Sequence, residues 1–350
     1  MIRILLLTLL LWSATLNASP CWKTIFEWNE KDLVKGHKIL ILPFENSTSL
    51  PDDEWISMLF PIILQEYLGL SKATTPFVAN SLSPESYFDP VRGLELARSI
   101  HANYLIIGQF SRSGAVLQIS TRLIDVAEGT ERDRVGGQVE FPGTRTINDF
   151  LIDLVVRASK SFKKVGLTKK KLLPFRNDTS SAEALRLYIL GVVALKAGTP
   201  QGVTESVKRF EGSVRNDYNY VPAYLGLALA LTRQGFLEGT RGENFRDSFT
   251  RARRELEKAR ALRPEITARR EREAVVYLKA ESYYRLAEND RTQDQMKNAA
   301  SEMEKVTDLL KGDLFSHQKL VDYFTQLGKT KKAGRHQEFV QQLNQCEGNQ

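Results

Sequence analysis

A repeated spacing in the second half of the chain constrains its fold more than any other feature. Apolar and small residues recur at a constant interval, as Leu187, Leu190 and Gly191 and again as Tyr224, Leu227 and Ala228. Such an interval is typical of stacked helix pairs, because one pair cannot bury its own apolar face and relies on its neighbours. The second half of the chain is therefore predicted to be an all-α array of helical repeats.

Other stretches of this half carry the pattern with unequal regularity. The best-spaced unit is the last, where Leu320 and Phe324 begin a helix core, Gly328 marks the turn and Ala333 opens the second helix. Residues 265–286 predict a long helix, but charged residues fall at positions that should be apolar. We therefore expect two clear units, a less regular third unit and a clear last unit.

This pattern places an aromatic residue before a leucine and a glycine or alanine, and it resembles the first helix of a tetratricopeptide repeat. The resemblance covers residues 181–345. This resemblance implies a concave surface, lined by the first helices, that binds another protein. The residues assigned to partner contact are Tyr188, Arg233, Gln318, Asp322 and Gln326. For Tyr188, as for the other apolar residues of this register, packing in the core is the leading interpretation and partner contact is the alternative.

The first half of the chain has the pattern of an α/β domain. Residues 38–44 form a short, almost continuous apolar run, which is typical of a central strand covered on both faces. Apolar residues with helical spacing follow from residue 55, and a second helix is expected to begin at residue 89. Further strands are expected at residues 104–110, 116–126 and 132–141.

Three segments of this half resemble the TolB-like amino-terminal domain, over residues 37–142. The segment ILPFEN at residues 41–46 resembles its opening strand, ANYLIIG at residues 102–108 a later strand, and residues 113–125 its hairpin. Curli-secretion channel subunits and outer-membrane activators of peptidoglycan synthases carry related folds at greater distance. The resemblance implies a mixed sheet with flanking helices.

These patterns divide the chain into an α/β domain at residues 37–142, a helix and basic linker at residues 143–180, and helical repeats at residues 181–345. The α/β domain and the repeats each have their own apolar pattern, so each is expected to fold alone.

The amino-terminal residues have the layout of a secretory signal peptide. Arg3 precedes an apolar run at residues 4–12, and Leu16 and Ala18 stand at the third and first positions before a cut. We therefore expect residues 1–18 to be removed, the mature chain to begin at Ser19, and the protein to reach the periplasm or cell envelope. A buried N-terminal helix is the alternative.

The two cysteines of the chain are Cys21 and Cys346. A lipid anchor at Cys21 is not favoured, because Pro20 stands where a lipoprotein cut requires a small residue. The two cysteines could form a disulfide in an oxidising compartment, and two free or intermolecular thiols are equally compatible with the sequence.

The formal net charge of +7 is concentrated after the linker helix. Seven cations precede the next acidic residue, and they are Lys160, Lys163, Lys164, Lys169, Lys170, Lys171 and Arg176. A solvated hinge is the leading interpretation, and contact with an anionic membrane or cell-wall surface through Lys163, Lys164, Lys169, Lys170 and Lys171 is the functional alternative. Nucleic acid is not favoured, because no interleaved aromatic residues offer stacking.

The chain carries none of the common catalytic or cofactor motifs. It lacks the serine-hydrolase elbow, the phosphate-binding loop, the dinucleotide fingerprint and the paired histidines of zinc proteases. Its four histidines lie far apart along the sequence, so no local metal-binding pair is expected. We therefore expect no catalytic residue, no metal and no cofactor, and we do not expect an enzyme.

Two functional hypotheses follow from the sequence. The first is an exported, non-catalytic scaffold or assembly factor of the cell envelope, whose repeats bind a protein partner. The second is a cell-wall or outer-membrane assembly component that acts through its TolB-like domain.

Overall fold

The computed structural model describes residues 36–48, 51–79, 90–162, 165–176, 179–197, 199–241, 243–265, 267, 272–309 and 314–347. The expected signal peptide at residues 1–18, Cys21, and two cations of the basic stretch, Lys163 and Lys164, lie outside these residues. The expected export and the state of the two cysteines therefore stay predictions.

Six strands form one mixed sheet near the amino terminus. The strands are β1 His37–Ile41, β2 Glu45–Asn46, β3 Thr74–Val78, β4 Tyr104–Ser113, β5 Val116–Asp125 and β6 Thr130–Glu140. Their order is β3-β1-β4-β5-β6, with β2 paired beside β4. The β3, β1 and β4 strands are parallel, whereas β4, β5 and β6 form an antiparallel meander. The mixed sheet expected from the sequence is confirmed.

The burial of individual strands follows their sequence patterns. Ile39 and Ile41 of β1 face one apolar core, and Leu40 faces another on the opposite side of the sheet. On β5, Leu117 and Ile119 are buried while the intervening Gln118 is exposed, as an alternating pattern requires. The doubly covered central strand and the half-covered hairpin strand are both confirmed.

Three helices flank the sheet, and they are α1 Ile56–Leu68, α2 Pro90–Ser99 and α3 Thr144–Ser161. The α1 and α3 helices share one face, where the buried Tyr67 hydroxyl donates to Asn148 Oδ1 at 2.7 Å. The α2 helix contributes Ala97 to the core on the other face. Because α3 buries Ile147, Leu151 and Val155 in the same core as the sheet, the compact α/β unit continues beyond residue 142.

The basic segment after α3 is packed rather than freely solvated. Val165, Leu167, Leu172 and Phe175 are all buried in the apolar core. Between them, the short helix α4 Lys169–Leu172 turns its three lysines to the surface. The apolar side chains anchor this stretch, so a solvated hinge does not describe residues 165–175.

Within the described residues, eight further helices follow as antiparallel pairs. They are α5 Ala182–Lys196 with α6 Pro200–Asn216, α7 Val221–Thr240 with α8 Arg246–Leu262, α9 Arg272–Thr292 with α10 Met296–Leu309, and α11 Leu314–Gln326 with α12 Thr330–Glu347. The all-α carboxyl-terminal region is confirmed. The third pair forms despite its irregular sequence pattern. No helix in the described part of the chain is long and apolar enough to cross a membrane.

The apolar core does not stop between the α/β unit and the repeats. One cluster begins on the sheet and runs through α3, α5, α6 and α7 as far as Ala259 of α8. A second cluster joins Phe236 and Phe249, of the second pair, to the last two pairs. One apolar cluster thus spans both regions, and the expectation that residues 37–142 and 181–345 each fold alone stays a prediction.

Candidate functional site

Helix α11, the first helix of the last pair, carries an exposed row of polar side chains. Gln318, Asp322 and Gln326 lie one helical turn apart on α11, and all three are exposed. The opposite face of α11 buries Tyr323 and Phe324 in the second apolar cluster. A fixed helix therefore presents an amide, a carboxylate and a second amide in line, and we call these three residues the α11 row.

A polar network fixes α11 against α9. The Tyr323 hydroxyl donates to Glu288 Oε1 at 2.7 Å, and Lys319 Nζ lies 3.5 Å from the same oxygen. Arg291 lies 3.1 Å from the other carboxylate oxygen of Glu288. Burial alone would raise the pKa of Glu288, but the hydrogen bond from Tyr323 and the two cations outweigh it and hold that pKa below its ordinary value. The carboxylate thus stays charged and stabilises the helix that carries the α11 row.

A histidine pair joins α11 to α12. The Nδ1 atoms of His317 and His336 lie 2.8 Å apart, and the ring of Phe339 lies 4.1 Å from that of His317. Burial lowers the pKa of His336, and the nearby Lys332 adds to this effect. The sequence-based expectation of separated histidines missed this contact, which the antiparallel helix pair creates. Within the described residues, no group of three side chains suited to a metal ion occurs.

Arg233 lies between repeats rather than on an open face. It is half-buried on α7, and its guanidinium donates to the Leu195 carbonyl of α5 at 3.2 Å. This hydrogen bond connects the first helices of two successive pairs. The geometry therefore gives Arg233 a contact within the array.

Tyr188 contacts the α/β unit of the same chain. Its side chain is buried, its hydroxyl donates to the Glu66 carboxylate of α1, and its ring packs edge-on against Tyr220. Lys196 Nζ, further along α5, donates to Gln65 Oε1 of α1 at 2.6 Å. Helix α1 thus covers the face of the first repeat that was predicted to contact a partner. Tyr188 is packed in the core, which was the leading interpretation of this residue.

Of the five residues predicted to contact a partner, the structure brings three together in the α11 row and places two in contacts within the chain. The docking of α1 on α5 has no signal in the sequence, because it depends on two polar pairs separated by more than a hundred positions. The sequence signal for the α11 row was its place in the first helix of the last repeat unit.

The exposed lysines of α4 are the described part of the predicted anionic-surface contact. Lys169 Nζ lies 3.0 Å from Asp153 Oδ1, and Lys171 Nζ donates to the Gly166 carbonyl at 2.9 Å. Lys170 is exposed and has no carboxylate partner among the described residues. Two of these three lysines therefore carry charges that no carboxylate of the described chain offsets.

A polar sheet face forms a second open surface. Gln109, Ser111, Gln118, Ser120 and Gln138 line a cleft of about 360 Å³ on β4, β5 and β6. At one end of this face, hydrogen bonds from Arg134 and Arg122 lower the pKa of Glu131 to about 2. The lining combines amides and hydroxyls with Phe110 and Ile119 and contains no charged side chain, which suits an uncharged ligand with polar groups better than an ion.

The fold and these surfaces define a class of protein, a mixed α/β unit that shares its core with a stack of antiparallel helix pairs. The chain matches no family model, and no curated protein matches it. It is similar to the solved structure of the LpoB C-terminal domain from Salmonella enterica, with 17% identity and a TM-score of 0.25 over 34% of this chain and 93% of that chain.

Two further solved structures are similar to this chain. TolB from Acinetobacter baumannii has 16% identity and a TM-score of 0.24, over 36% of this chain and 29% of that chain. MamA has 18% identity and a TM-score of 0.20, over 59% of this chain and 95% of that chain.

Proposed function

We propose that this protein is an exported, non-catalytic scaffold of the cell envelope, and that its helical repeats bind a protein partner through the α11 row. The observation that carries the proposal is the exposure of Gln318, Asp322 and Gln326 on one face of a helix whose opposite face is buried. The backbone of a fixed helix loses little conformational freedom on binding, which favours recognition of another protein.

The chemistry of the row specifies the kind of contact. Two amides can each donate and accept hydrogen bonds, and the carboxylate between them accepts only. Such a set suits a partner that offers backbone amides, together with a lysine or arginine opposite Asp322.

Site-specific crosslinking in cells tests this proposal. A photoreactive residue introduced at position 322 should give a crosslink to one defined partner, which mass spectrometry would identify. The control carries the same photoreactive residue at position 208. Lys208 is also exposed, but it lies on α6, the second helix of the first pair. Equal crosslinking from both positions, or none from position 322, would reject the α11 row as the binding surface.

Export is part of the same proposal, supported by the signal-peptide pattern of residues 1–18. Mass spectrometry of protein from the native host should find an amino terminus at Ser19 or close to it. An intact Met1 on a cytoplasmic protein would contradict export.

A second candidate function is supported by the polar sheet face. A cleft lined by amides and hydroxyls could bind the sugar hydroxyls of a cell-wall polymer. In that case the α/β unit, and not the repeats, would bind the ligand. If so, the double variant Gln109→Ala/Gln118→Ala should lower co-sedimentation with purified sacculi, while Gln318→Ala should not. Unchanged co-sedimentation of the double variant would reject this candidate.

A further inference from the structure

The connecting segment and the second helix pair meet at the surface. The guanidinium of Arg263, just after α8, donates to the Pro174 carbonyl at 3.2 Å. Pro174 lies two residues after the end of α4, which carries the lysines. This hydrogen bond therefore brings together two exposed stretches that lie far apart in the sequence.

An exposed leucine stands next to each partner of this hydrogen bond. Leu173 precedes Pro174 and is 40% exposed, and Leu262 precedes Arg263 and is 38% exposed. Leu173 and Leu262 are thus exposed next in sequence to the two residues that this hydrogen bond joins, and exposed apolar groups brought together in this way mark an interaction site. This proximity has no signal in the sequence, because Leu173 and Leu262 lie far apart in the chain and share no amphipathic pattern.

Cations lie close to both leucines in the sequence. Lys170 and Lys171 precede Leu173 on α4, and Arg263 follows Leu262. None of these three cations forms an ion pair with a carboxylate in the described chain, whereas their neighbour Lys169 pairs with Asp153. The surface thus combines uncompensated positive charge with exposed apolar groups.

An anionic membrane satisfies both features at once. Its phosphate headgroups attract lysine and arginine, and its interface accepts leucine side chains beneath those headgroups. An anionic cell-wall polymer would use the cations but would leave the leucines in water.

We propose that the surface formed by Lys170, Lys171, Leu173, Leu262 and Arg263 docks the protein on a membrane of anionic phospholipid. This docking surface lies on α4 and at the end of α8, away from the α11 row. Membrane docking and partner binding can therefore fail independently of each other.

Co-sedimentation with vesicles tests the proposal, using the mature full-length protein. Vesicles of phosphatidylcholine with about one third phosphatidylglycerol should bind the protein, and pure phosphatidylcholine should bind it far less. Each surface lysine contributes about fivefold to such binding at low salt, so Lys170→Gln/Lys171→Gln should weaken it about 25-fold. This loss should shrink as salt rises towards about 0.5 M, because salt screens the exposed charges.

A second variant separates the leucines from the charges. Leu173→Ser/Leu262→Ser should weaken vesicle binding about tenfold at both low and high salt, because apolar burial is not screened. Both variants should keep the circular dichroism and thermal midpoint of the parent, since the changed side chains are exposed.

A matched control changes the same residue types elsewhere. Lys297→Gln/Lys331→Gln/Leu286→Ser removes two exposed lysines and one exposed leucine from the last two helix pairs, and it should bind vesicles as the parent does. The proposal would be overturned by equal binding of all variants, by equal binding to neutral vesicles, or by binding to sacculi without binding to vesicles.

Discussion

The contact between Tyr188 and Glu66 tests whether the α/β unit and the repeats form one cooperative structure. Tyr188→Phe removes the hydroxyl that donates to the Glu66 carboxylate and keeps the aromatic ring. The ring centroid lies 5.4 Å from that of Tyr220 and 5.9 Å from that of Phe210, so its packing should not change. The substitution therefore changes one hydrogen bond between the two regions.

The expected magnitude follows from the type of hydrogen bond. A hydrogen bond to a charged group contributes about 1.5–3 kcal/mol, and the lower end applies because Glu66 is only half-buried and can bind water instead. We expect the free energy of unfolding to fall by about 1.5 kcal/mol, and the thermal midpoint by about 2–4 °C. Tyr218→Phe is the control, because Tyr218 is 68% exposed and lies in the connection between α6 and α7.

Hydrogen exchange followed by mass spectrometry measures where the stability is lost. Because one apolar cluster runs from the sheet to α8, the slowest amides of β1 and of α5 should lose protection by the same amount. Loss confined to the repeats, with β1 unchanged, would refute the shared core. A separate transition for the sheet in the thermal melt would refute it as well.

Three further predictions concern local packing and charge. Gly226→Ala should lower the free energy of unfolding by about 1–3 kcal/mol in denaturant titration, because the new Cβ would lie 2.5 Å from the ring of Phe210, whereas Gly334→Ala meets nothing within 4 Å and should raise it by about 0.5–1 kcal/mol. Because the pKa of Glu288 lies below its ordinary value in the folded protein, its contribution to stability should be complete above pH about 4.3 and lost as the pH falls further; Glu288→Gln should flatten this part of a stability–pH profile. Because burial lowers the pKa of His336, folded protein binds its proton less readily than unfolded protein, so stability should fall as the pH drops below about 6.5; hydrogen exchange of α11 and α12 should reveal this loss, and His336→Gln should abolish it.

Local patterns were enough to predict most of the secondary structure. The apolar run at residues 38–44 predicted the central strand, and the alternation of Leu117, Gln118 and Ile119 predicted a strand with one covered face. These predictions hold because a strand or helix buries its own residues with a period that the sequence displays directly.

Contacts between distant elements could not be predicted in the same way. The docking of α1 on α5, the histidine pair of α11 and α12, and the hydrogen bond from Arg263 to Pro174 each join single residues far apart in the chain. A single long-range contact leaves no periodic trace in the sequence. For this reason the sequence pattern places Tyr188 and Arg233 on a partner surface, and it gives no signal for the exposed Leu173 and Leu262.

The affinity of the repeats for the crosslinked partner tests the central claim most directly. Isothermal titration of the purified partner would compare the parent with the triple variant Gln318→Ala/Asp322→Ala/Gln326→Ala, whose changes are all on the exposed face of α11. We predict that the variant binds at least about tenfold more weakly, a loss of about 1.4 kcal/mol or more, with an unchanged thermal midpoint. An unchanged dissociation constant would contradict the proposal that this protein is a scaffold acting through the α11 row.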